Sequence, residues 1–115
     1  MTEPDKPRRA QQVFTLVVEV GRKPGDGLPK GATGAALMVY ASGVDEAEAV
    51  RETVAVLKVA EMAVLDVTGY GTAEEREKQG HAIEADERAL MDRALAENAV
   101  IVAQVTPFFE GDEKR

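Results

Sequence analysis

His81 is the only histidine in the 115-residue sequence, and so the only side chain that by nature changes charge near neutrality. Glu77 and Glu84 stand at i−4 and i+3 from it, a spacing that on a helix could build a carboxylate–imidazole pair or a weak divalent-cation site. The same Glu-His-Glu spacing is common on charged helices. With one His and no Cys, no metal site and no cofactor are expected. The remaining candidates for chemistry are Asp66, in an apolar run, and Tyr70, flanked by Gly69 and Gly71. If Asp66, Tyr70 and His81 converged on one cavity they would form a small acid–base site, and they are the only weak catalytic candidates.

Two glycine-bearing stretches could hold anions. Gly21 to Gly34 contains Lys23 and Lys30 but lacks GxxxxGK[ST] and GxGxxG, and a strand follows it rather than a helix. It reads as a hairpin loop with a turn at Pro24-Gly25-Asp26-Gly27. Gly69-Tyr70-Gly71-Thr72 precedes a helix start, yet Glu74 and Glu75 already occupy that positive end and would repel a phosphate.

Composition narrows the partners. Fourteen basic against twenty-one acidic residues give a net charge of −7, which disfavours nucleic acid. Glu74 to Glu97 carries eight acids and four bases, a local −4, which reads as a solvated face with intrahelical pairs such as those of Arg88 and Arg93. No apolar run, Ala99 to Ala103 included, is long enough for a membrane span, and no secretory signal is evident. A cytoplasmic protein is the expectation, with residues 1–12 a disordered leader, 13–109 one domain and 110–115 a charged tail.

The elements that must position these residues follow from hydrophobic period. Val13 to Val20 alternates, with Phe14, Leu16, Val18 and Val20 on one side, and predicts a strand. Ala35 to Ala41 predicts a second strand, its hairpin partner. Asp45 with Glu48 in capping-box spacing opens a helix to about Lys58, its inward stripe Ala47, Val50, Val54 and Leu57. Glu61 to Thr68 predicts a third strand, Thr72 with Glu75 a second capping box, Ala82 to Glu97 a helix, and Ala99 to Thr106 a last strand. The run from Glu48 to Val67, followed by an acidic helix and a final strand, resembles the layout of small single-domain bacterial proteins of uncharacterised function, a likeness that carries no activity.

The order ββαβαβ implies an α+β two-layer sandwich, loosely ferredoxin-like, with a four-stranded mixed sheet and both helices on one face. The other face would then be apolar and bare: Val17, Met38, Tyr40, Met62, Val64, Val100 and Val102. A surface of several hundred Å² of that kind needs a cover, and the expectation is a second copy of the chain. The chain's own ends or a small apolar ligand are the competing covers. This favours a non-catalytic interaction module acting as a homodimer. A small enzyme using Asp66, Tyr70 and His81, and an acidic inhibitor or antitoxin-like partner of a basic protein, are the alternatives.

Overall fold

The computed structural model describes residues 10–110. Its elements are β1 (Gln12–Val20), β2 (Ala32–Gly43), α1 (Glu46–Val59), β3 (Val64–Thr72), α2 (Ala73–Lys78), α3 (Ala85–Glu97) and β4 (Val100–Phe109). The strands form one sheet in the order β3-β1-β2-β4, and every neighbouring pair is antiparallel. The α+β class and the four strands in their chain order agree with the pattern read from the sequence; the second helical segment is two helices, α2 and α3, parted at Gly80, which has φ 94°. The sheet is antiparallel rather than mixed, because β3 docks beside β1 and β4 beside β2 at opposite edges, so no two parallel strands become neighbours.

The helices also divide between the two faces instead of sharing one. Ala49 and Leu57 of α1 pack on Leu16, Val18, Leu37 and Val39, all of them buried. Met91 and Ala94 of α3 pack on Tyr40, with Met38 and Ile101 alongside. Tyr40 alternates with Val39 and Ala41 along β2, so the two clusters lie on opposite sides of the pleat. The two connections differ in kind: α1 links β2 to β3, which run parallel on either side of β1, whereas α2 and α3 link β3 to β4, antiparallel strands at opposite edges of the sheet.

Local chemistry sets the boundaries. The Asp45 side chain accepts from the Glu48 backbone N–H at 2.9 Å, and Thr72 with Glu75 forms the reciprocal capping box of α2. α3 ends at Asn98, which takes a left-handed backbone with φ 51°. Gly34 abuts the Val20 carbonyl, where any Cβ would collide with backbone. One polar atom in the α1 layer is left over: the Thr53 hydroxyl is buried without a hydrogen-bond partner.

Candidate functional site

The polar residues gathered most tightly lie between the sheet and the α2–α3 pair. Arg76, from the short α2, is buried and donates through Nη1 to Thr15 Oγ1 at 3.2 Å and to Glu87 Oε1 at 3.1 Å. The Tyr40 hydroxyl donates to the same Glu87 oxygen at 2.7 Å and lies 3.5 Å from Met38 Sδ. Arg76 Nε donates to His81 Nδ1 at 3.4 Å. β1, β2, α2, the α2–α3 turn and α3 therefore all meet at one guanidinium.

The electrostatics of this cluster argue against acid–base work. Burial, and then the bond to the Glu87 carboxylate, pushes the Tyr40 hydroxyl up to about 12. The Tyr40 hydrogen bond, with Arg76 behind it, holds the Glu87 carboxyl below its ordinary range. At neutral pH the phenol stays protonated and the carboxylate stays charged. Each group stabilises the others' resting state, and neither is poised to give or take a proton. A hollow of about 320 Å³ adjoins the cluster, lined by Met38, Tyr40, Glu84, Glu87, Leu90 and Gln104. Two of its acids have partners: Glu87 as above, and Asp86 on the rim, which accepts from the Glu87 backbone N–H.

Asp66, Tyr70 and His81 occupy separate settings. Asp66 lies opposite Glu19 in the β1–β3 ladder. Tyr70 is the extra residue between Gly69 and Gly71 where that ladder shifts register. His81 follows α2 and meets Arg76. All three are exposed, and no side-chain hydrogen bond joins any two of them. Glu77 does not reach back to His81 but pairs with Arg88 at 2.6 Å. Among the described residues, no group of three or more His, Cys, Asp or Glu side chains is placed to hold a metal ion.

The glycine-rich connection from Gly21 to Gly31 is closed on itself. Arg22 grips both Asp26 oxygens, at 3.0 and 3.3 Å, and donates to the carbonyls of Pro29 and Ala32. Asp26 also accepts from the Lys23 and Leu28 backbone N–H groups, and these bonds, the Arg22 one foremost, bring its carboxyl down to about 2. Backbone donors that could have faced an anion are already bonded to a carboxylate.

The seven residues expected to share a bare face are split. Val17, Met38 and Tyr40 lie on the α2–α3 side, where Tyr40 is fully covered by the chain's own helix. Met62, Val64 and Val100 pack instead on the α1 side, and Val102 lies opposite Val39 on that side too. Extra residues caused the phase error. Leu65 is inserted between the Asp66–Glu19 and Val64–Val20 pairs, and Ala103 between the Gln104–Met38 and Val102–Val39 pairs. A one-residue insertion reverses every side chain beyond it.

Large apolar side chains are exposed on α1 (Val56, Val59), β3 (Leu65, Tyr70) and α3 (Leu95), and three more follow one another along β4, where Val102 is 39%, Val105 44% and Phe109 39% exposed. β4 is an edge strand, and the whole run from Asn98 to Phe109 contains no charged residue. Reasoning from periodicity picked out Val102 but not Val105 or the absence of charge along this strand, although that absence was visible in the sequence.

A family model described as Domain of unknown function (DUF8846) matches residues 13–109, and the chain belongs to that family. No curated protein and no solved structure matches the chain.

Proposed function

We propose, from membership of this family of unknown function as the premise, that the chain is a non-catalytic interaction module that works as a homodimer. The carrying observation is the uncharged edge strand β4, with Val102 and Val105 exposed in a chain of net charge −7. Edge strands that stay solvated are guarded by charge, proline or a bulge; β4 has Pro107 near its end and the extra Ala103 but no charge, which leaves its central stretch a template for pairing. The quenched state of the Tyr40–Glu87–Arg76 cluster supports the non-catalytic half of the reading. No described helix is long and apolar enough to cross a membrane, and the lack of cysteine fits a reducing, cytoplasmic setting.

Light scattering on the eluting protein tests this reading. Two chain masses at micromolar concentration are expected, and Val105→Lys should return one chain mass with the circular dichroism unchanged. A single chain mass for the unaltered protein up to high micromolar concentration overturns the homodimer. The reading as an acidic partner of a basic protein draws on the net charge alone, and it would show as a complex that dissolves steeply with salt.

A further inference from the structure

Resting on the homodimer reading, we infer that the second copy joins edge to edge. β4 pairs antiparallel with β4 of the partner, and the two sheets become one of eight strands in the order β3-β1-β2-β4-β4-β2-β1-β3. Stacking face on face is closed off, because α1 covers one side of the sheet and the α2–α3 pair the other. Two edges remain.

The β3 edge is ill suited. Two extra residues, Leu65 and Tyr70, interrupt its ladder, Asp66 places a charge in its middle, and the Glu46 carboxylate lies against the Gly69 backbone. A second acidic copy arriving there would bring Asp66 towards Asp66 across a two-fold axis. Bulges and charged side chains are devices that blunt an edge.

The β4 edge has one extra residue, Ala103, and one proline, Pro107, beyond the proposed Val102–Val105 contact, but no charge between Asn98 and Phe109, so two like-charged chains meet there with the least repulsion. An antiparallel strand pair is two-fold symmetric, as a closed dimer needs. Val102 and Val105 lie opposite Val39 and Leu37, and so both project on the α1 side of the sheet. A two-fold axis between Ala103 and Gln104 sets Val102 opposite Val105 of the partner subunit, and Val105 opposite the partner's Val102. Both exposed valines of β4 in each copy are covered in one step, next to new main-chain hydrogen bonds.

A segment of the same chain is a poorer occupant. The residues outside the described part are 1–9, with two prolines and five charged side chains, and 111–115, with four charged side chains. Neither offers an apolar alternation to match β4.

The test uses the chain's lack of cysteine, which makes any introduced thiol unique. Gln104→Cys places one thiol at the proposed axis, and Leu65→Cys places one on the β3 edge, 64% exposed. In the eight-stranded sheet the two β3 edges are seven strand spacings apart, about 34 Å at ~4.8 Å each. A short bis-maleimide should convert most of the Gln104→Cys protein into covalent dimer and leave Leu65→Cys monomeric. Amide hydrogen exchange in β4 should also slow with rising protein concentration, while exchange in β3 should not change. The reverse pattern, or equal weak linking of both variants in a protein that scatters as two chains, overturns the edge arrangement and leaves the homodimer standing. A protein that scatters as one chain removes both.

Discussion

The two faces of the sheet are held by different physics. Under α1 the contacts are aliphatic and dry, built from Leu16, Val18, Leu37, Val39, Ala49 and Leu57. Under α2–α3 only Tyr40, Met91 and Ala94 form the fully buried apolar group, and the remaining grip comes from a guanidinium, a carboxylate and a phenol. Apolar burial is non-directional and tolerates small shifts, while a charged network either closes or leaves groups unpaired. One face should therefore carry most of the global stability, and the other should fix where its helices sit.

Breaking the first face should have the largest effect. Leu37→Ala removes a buried side chain from the centre of the α1 layer and should cost about 2–5 kcal/mol. A shift of the urea midpoint with an unchanged slope would show it, and a loss under 1 kcal/mol would mean the dry face is not the anchor.

Glu87→Ala comes next, at about 1–3 kcal/mol, because it leaves both Arg76 and the Tyr40 hydroxyl without their shared acceptor. Hydrogen exchange should rise in α2 and α3 and stay slow in α1. Uniform acceleration through the molecule would contradict the division between the faces.

The smallest effect is a pH response belonging to the polar face. The Tyr40 hydroxyl is raised in the folded protein to about 12 from an ordinary 10.0, so its contribution is whole below pH 10 and is lost as pH climbs towards 12. Tyr40→Phe should flatten that part of the alkaline unfolding curve at a cost of about 1 kcal/mol at neutral pH. An alkaline limb identical in the variant would show that the loss arises elsewhere.

The same contrast explains what could be read ahead of the structure. The alternation of Phe14, Leu16, Val18 and Val20 and the helical stripe of α1 are signals of period, and the α1 face was legible from them. Face assignments in β3 and β4 failed because Leu65 and Ala103 are single insertions, and nothing in a run such as Glu61 to Thr68 marks where a ladder slips. The Arg76 cluster was invisible for another reason. It joins Thr15, Tyr40, Arg76 and Glu87, residues far apart in the chain, and on a charged helix Arg76 looks like any solvated arginine. Thr72 with Glu75 was recoverable because a capping box is local.

The Arg22 clamp has a practical corollary for anyone handling the molecule. One guanidinium ties Asp26, Pro29 and Ala32 together, so the link between the two central strands moves as a block rather than as a floppy tip. A protease that must thread several extended residues through its cleft would find that stretch a poor substrate despite its glycines and lysines. A tag or fusion spliced in there would unpick the block before it reached the sheet.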